Sequence, residues 1–332
     1  MSNEPLLTRI CALSTMLAPK PTGMAPRLAP LPGIKAVLFD IYGTLLISAS
    51  GDIGLDGEGA SSIGLSALMS AAGLDWPRQD VARSLDTARD QTADQASTRH
   101  KARREIPLRE RLSEVIQADH ARARAQGIDY PEVDIRAIWA NLLAELGLRP
   151  TAQQLARIAL EYECRVNPVW PMPGLADLVA ALRQRGLVLG IVSNAQFYTP
   201  LILEAFLGQP PAALGLDPRC SAWSYQLRQA KPSTAIYQLA LDGLARAHDI
   251  RPEQVLYIGN DRRNDIWPAQ QLGLKTALFA GDARSLRLRT EDSTLAGVSA
   301  NALITDLAQI LLLITEQALD GSVDEDVNGF SA

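Results

Sequence analysis

A chain of 332 residues that is 47% hydrophobic and 21% charged has enough apolar mass for a buried core and room for more than one compact unit. Its formal charge of −5 excludes a general polyanion binder, and 5% aromatic residues leave little surface for stacking on bases, so no nucleic-acid partner is expected. The cysteines Cys11, Cys164 and Cys220 and the histidines His100, His120 and His248 are scattered. They build no zinc spacing, no disulfide framework and no Ser-His-Asp triad, and they fit a reducing, cytoplasmic setting.

In chain order, residues 1–33 carry six prolines and little periodicity, and read as an N-terminal extension over the core. Ile10 to Ala18 after Arg9 has the outline of a short signal core, but Ser14 and Thr15 interrupt it and Glu4 precedes it. No apolar stretch reaches the roughly 18–20 residues needed to span a bilayer, so no membrane partner is expected. Ile34-Lys35-Ala36-Val37-Leu38-Phe39 is a short, mostly apolar run that predicts a strand buried on both faces. Residues 49–64 are rich in Gly and Ser and read as a loop; Asp52, Asp56 and Glu58 lack calcium-loop spacing.

Residues 62–165 show helical periodicity without clear strands. Their basic stretch from Arg99 to Arg111 holds His100, Lys101, Arg103, Arg104 and Arg109; a solvated helix surface is the favoured reading, and an anion-attracting face over an active site the alternative. Strand and helix alternate from Pro171 onward. A helix is expected over Gly174 to Arg185, and strands over 187–192, 222–227, 255–258 and 276–279. Residues 321–332 read as a loose acidic tail. The pattern is α/β: a doubly wound parallel sheet interrupted after its first strand by a helical unit. The expected division is an extension 1–33, a discontinuous core 34–48 and 171–320, a helical cap 49–170 and a tail 321–332.

Ligands of an open parallel sheet bind outside the carboxyl ends of the strands. Asp40, Ser193-Asn194, Lys231, and Asp261 with Asp265 fall at those ends or just beyond. A carboxylate such as Asp40 can attack an electrophile and form a covalent ester. Gly43 frees the turn that follows it. Thr44, Ser193 and Asn194 can donate to developing negative charge, and Lys231 can hold the nucleophile and the leaving oxyanion. Asp261 and Asp265 offer the hard oxygens that Mg²⁺ prefers.

In these segments the chain resembles the haloacid dehalogenase (HAD) superfamily. Phe39-Asp40-Ile41-Tyr42-Gly43-Thr44-Leu45 matches the first motif, Val192-Ser193-Asn194 the second, Lys231-Pro232 the third, and Gly259-Asn260-Asp261-Arg262-Arg263-Asn264-Asp265-Ile266 the fourth. The resemblance implies a Rossmann-like core with an inserted α-helical cap that closes over the site. It implies Asp40 as covalent nucleophile, and Mg²⁺ held by Asp40, the carbonyl of Tyr42, and Asp261 or Asp265. A small anionic substrate is expected, and a monomer or homodimer.

Two departures divide the readings. Tyr42 stands where HAD phosphatases carry a second Asp as general acid and base, and resembles the dehalogenases proper; Tyr237 also matches a position those enzymes use. Asn260 followed by Asp261 and Asp265 keeps acidic groups where dehalogenases have small neutral residues. Mg²⁺-assisted hydrolysis of a phosphorylated small molecule is the favoured reading. A metal-independent 2-haloacid dehalogenase is the alternative, and a ligand-binding protein without turnover a further one.

Overall fold

The computed structural model describes residues 3–50, 64–74 and 108–314. The loop expected over 49–64, most of the basic stretch and the acidic tail fall largely outside these residues.

The first strand, β1 (Ala36–Phe39), is buried throughout. A strand with no wet face requires cover on both sides. It lies inside a six-stranded sheet with β4 (Val188–Ser193), β5 (Ala222–Trp223), β6 (Val255–Gly259), β7 (Lys275–Phe279) and β8 (Ala302–Ile304). The order is β5-β4-β1-β6-β7-β8, and every pairing is parallel. Alternate residues face opposite layers. Val37 and Phe39 pack with Leu178, Leu182 and Ile202 of the helices Leu175–Gln184 and Thr199–Leu207. Ala36 and Leu38 pack with Ile236, Ala240 and Leu244 of the helix Thr234–His248. From β1 the chain builds outward through β4 and β5, then crosses back to build β6, β7 and β8 on the other side. That reversal opens a crevice at the carboxyl end of β1, where ligands of such sheets bind.

A separate antiparallel pair, β2 (Leu46–Ser48) and β3 (Val169–Pro171), forms the stem of the inserted segment. Asn167 Oδ1 accepts from the hydroxyls of Ser48 and Ser50, each at 2.8 Å, and ties the two strands together. Beyond the stem lie the helices Leu65–Ala71, Leu108–Ala125, Ile135–Glu145 and Ala152–Val166. They pack around their own apolar cluster, which includes Trp139, Leu142, Leu143 and Tyr162. This segment therefore has a small core of its own. No described helix is long and apolar enough to cross a membrane.

Two expectations change. The strand expected over 222–227 stops at Trp223, because its partner β4 ends at Ser193, opposite Trp223. With no further ladder to join, Ser224–Leu227 turns into a short helix. The extension is more structured than its composition suggests. Glu4–Leu13 is a helix packed on both Thr199–Leu207 and Ala152–Val166, with Ile10 fully buried. Arg9 pairs with the buried Glu161, which also meets Arg157 at 2.9 Å and Arg165 at 2.7 Å. Burial opposes ionisation of Glu161, but Arg9 and the other two guanidinium groups outweigh it and hold its carboxyl below the usual range. Further on, Arg27 pairs with Leu303 through backbone bonds of 2.8 and 3.0 Å and covers the exposed edge of β8.

Candidate active site

Asp40 follows β1 directly, and its backbone N–H donates to Ile258 O of β6 at 2.9 Å, which fixes the carboxylate at the mouth of the crevice. The residue is only 6% exposed. Its Oδ1 accepts from Ser193 Oγ at 2.9 Å and from Lys231 Nζ at 2.7 Å. Its Oδ2 accepts no hydrogen bond among the described residues. One oxygen is thus anchored and the other carries no hydrogen bond from the described residues.

Lys231 also donates to Asp265 Oδ1 at 2.6 Å. Burial alone would lower the Lys231 ammonium, but Asp265 and Asp40 outweigh it and raise it above its ordinary value. Burial pushes the Asp265 carboxyl up to about 7; Lys231 opposes that push and Asp40 adds to it. The Asp265 carboxylate accepts from Lys231 Nζ and from the Asp261 N–H at 2.8 Å, and lies 3.1 Å from Tyr257 OH. That is the pattern of an ionised group. Asn194 acts on the lysine backbone, with Oδ1 accepting from the Lys231 N–H at 2.7 Å.

Asp261 is turned away from this cluster. Its Oδ1 caps the π-helical turn Arg262–Ile266 by accepting from the N–H groups of Arg263 and Asn264. Its Oδ2 pairs with Arg289 at 2.7 Å. Asp265 is committed to Lys231 and Tyr257. Of the expected metal-binding acids, Asp261 therefore faces Arg289 and Asp265 faces Lys231. Asn260 occupies the neighbouring position: its Oδ1 accepts from Thr44 Oγ1 at 3.1 Å, and its amide donates to Ser285 O at 2.6 Å.

The Gly43 backbone, at φ +82°, lies against Asn260 and Ser285, and any side chain there would strike both. The buried Ser285 hydroxyl has no partner among the described residues. Asp40 Oδ2, the Tyr42 carbonyl and Asn260 Oδ1 belong to adjoining segments, and all are hard oxygen donors. Such a set fits Mg²⁺, which keeps several waters and takes few protein ligands. Two carboxylates around one ammonium also leave the site net negative, which a divalent cation would offset for an anionic substrate.

Tyr42 does not point its hydroxyl at Asp40. Its OH meets Thr199 Oγ1 at 2.9 Å, and burial first, with nearby Glu163, pushes the phenol well above its ordinary value. Tyr237 donates to Asn264 O at 2.6 Å and supports the fourth-motif turn from below. Tyr257 escaped the sequence reading. Its OH lies 3.2 Å from Lys231 Nζ and 2.9 Å from Val192 O, so it sits inside the charged cluster. Its signal in the sequence is faint: it is the single polar-tipped side chain in the strand Val255–Gly259.

The inserted segment docks beside these groups. Gln196, shortly after Ser193-Asn194, donates to Val133 O and accepts from the Ile135 N–H, both at 2.9 Å. The Ala230 N–H, next to Lys231, donates to Tyr130 O at 2.8 Å. Glu132 accepts from Ser224 Oγ at 2.8 Å and from Gln196, and burial raises its carboxyl above the usual range. The loops carrying Asn194 and Lys231 are thus bonded directly to the cap.

Among known proteins, the phosphoglycolate phosphatase of Synechococcus elongatus is 30% identical over 165 residues, which cover 46% of this chain and 71% of that protein. A HAD phosphatase structure from Thermococcus onnurineus aligns over 83% of this chain and 96% of its own, at 18% identity and TM-score 0.45. An L-2-haloacid dehalogenase from Xanthobacter autotrophicus, with chloropropionic acid covalently bound, aligns over 83% and 96%, at 19% identity and TM-score 0.42. Residues 34–273 match the family of haloacid dehalogenase-like hydrolases. The chain belongs to the haloacid dehalogenase-like hydrolase family.

Proposed function

We propose that the protein hydrolyses a phosphorylated small molecule through a covalent phosphoryl ester on Asp40. The observation that carries this reading is the division of labour on the Asp40 carboxylate: Oδ1 is anchored by Ser193 and Lys231, and Oδ2 carries no hydrogen bond from the described residues. The Synechococcus relative supports a phosphorylated substrate.

In this reading Asp40 Oδ2 attacks phosphorus, and the bond from phosphorus to the leaving oxygen breaks. Water then attacks the same phosphorus, releasing inorganic phosphate and restoring the carboxylate. Lys231 holds Asp40 in place and stabilises the negative charge around it. Thr44 fixes the orientation of Asn260, and Asn194 fixes the backbone of Lys231. Asp40, the Tyr42 carbonyl and Asn260 are the residues that would hold Mg²⁺, which when bound neutralises phosphoryl charge. Tyr42 supplies no acid, so the leaving oxygen takes its proton from elsewhere, and substrates with good leaving groups react fastest.

A screen of phosphate esters with Mg²⁺ tests this. Phosphate release that disappears in Asp40→Asn supports it; silence across the screen beside an active control overturns it. The alternative, halide displacement from a 2-haloacid, draws on the absence of a carboxylate at position 42, because halide leaves without a proton. Halide release from either enantiomer of 2-chloropropionate would favour it.

A further inference from the structure

At the opposite end of the sheet from Asp40, two residues of one short turn meet a third from a helix that follows later in the chain. Asp217 is fixed at the start of β4, where its N–H donates to Leu189 O at 2.8 Å. Cys220 follows one short turn later, and His248 ends the helix Thr234–His248. Gly243 lets that helix approach the Arg219 carbonyl so closely that any side chain would collide with it. The approach brings a carboxylate oxygen of Asp217, the Cys220 sulfur and an imidazole nitrogen of His248 within 4.8 Å of one another. His248 Nε2 lies 2.8 Å from Asp217 Oδ2.

We propose that Asp217, Cys220 and His248 form a binding site for one borderline-soft divalent cation, with Zn²⁺ the matching ion. Thiolate, imidazole and carboxylate together are a zinc ligand set, and water completes four-fold coordination. Magnesium and calcium select oxygen ligands instead. Cys220 is fully buried while Asp217 and His248 reach the surface, so the site is closed on the protein side and open to an entering ion. A cation already occupies the carboxylate: Arg219 pairs with Asp217 Oδ2 at 2.7 Å through a side chain that is 63% exposed. That guanidinium can swing into water and release Asp217. Burial, and then Asp217, hold the Cys220 thiol up at about 11, so it is protonated at neutral pH. Binding forms the sulfur–zinc bond and releases the thiol proton to solvent.

The test is titration of the full-length protein with Zn²⁺ in excess Mg²⁺, followed by calorimetry, with Co²⁺ as a spectroscopic probe. One ion per chain is expected. Cys220→Ser and His248→Gln should each weaken binding by more than the roughly 10–100-fold typical of an outer-shell partner. Arg219→Ala should tighten it, because the competing cation is gone. A thiolate-to-cobalt charge-transfer band is expected in the wild type and in Cys11→Ser, and not in Cys220→Ser. Because Cys220 is in the core, His248→Gln and Arg219→Ala, both at the surface, keep the test independent of folding. No saturable binding, binding indifferent to His248→Gln, or weaker binding in Arg219→Ala would each overturn the proposal.

Discussion

Lys231 Nζ lies 2.7 Å from Asp40 Oδ1, and the same ammonium lies 2.6 Å from Asp265. All three groups are buried, so the lysine is the positive charge that lets two carboxylates share one buried site. Removing it leaves those charges uncompensated. Lys231→Met is expected to destabilise the protein by about 3–5 kcal/mol. It should also lower kcat by about 10²–10³-fold, as the loss of a fixed electrostatic donor does. Urea denaturation and steady-state kinetics on p-nitrophenyl phosphate measure the two effects separately. Wild-type rates in a stably folded variant would remove Lys231 from the proposed chemistry.

Tyr257 completes the cluster through its hydroxyl, 3.2 Å from Lys231 Nζ and 3.1 Å from Asp265. Tyr257→Phe keeps the ring stacked edge-on against Tyr237, at a centroid distance of 5.0 Å, and deletes only the hydroxyl. A hydrogen bond to a charged group contributes about 1.5–3 kcal/mol. The variant should therefore lose about tenfold or more in kcat with KM little changed. A change confined to KM would show that the hydroxyl serves binding instead.

Tyr42→Phe distinguishes the two reactions. If Tyr42 contributes only packing and its main-chain carbonyl, the lost bond to Thr199 costs about 0.5–1.5 kcal/mol of stability and leaves kcat within about twofold. A large loss of kcat in a folded variant would mean that the phenol takes part in the reaction.

The metal reading predicts that EDTA abolishes phosphate release and Mg²⁺ restores it. Asn260→Ala removes one of the proposed oxygen donors and should raise the Mg²⁺ concentration for half-maximal rate about tenfold or more. Asp261→Asn, whose carboxylate faces Arg289, should change that concentration far less. The reverse ranking would reassign the ligand set.

The Arg9–Glu161 contact ties the N-terminal helix to the last helix of the inserted segment, and its contribution depends on pH. The folded-state pKa of Glu161 is lowered, so its contribution is fully present above the unfolded value of about 4.3. It is lost as pH falls through the lower folded value. Arg9→Met should therefore be less stable than the wild type at pH 7, with the gap closing below about pH 4. A constant gap between pH 7 and 3 would assign the effect to packing of the arginine stem.

Much of this protein was legible as sequence because it is local. The apolar run at Ala36–Phe39 has no polar face, which marks a strand covered on both sides, and Asp40 ends that run. Ser193 and Asn260 follow two further runs of the same kind, so their places at the mouth of one crevice follow from a parallel sheet alone. The short strands β2, β3 and β8 were not legible, since three residues carry too little pattern to outweigh their neighbours.

What only the tertiary structure decided is which distant groups meet. Asp261 turns to Arg289 and Asp265 to Lys231, although both acids lie in one motif. Glu4–Leu13 holds its helix because Ile10 finds a buried place between two other helices. Asp217 and Cys220 share one turn, but nothing in the sequence links them to His248, and only the close approach at Gly243 brings that residue to them. The physical reason is common to all three. A side chain's partner is chosen by packing and by the cost of leaving a buried charge or polar group unpaired, and both depend on segments that sequence spacing does not connect.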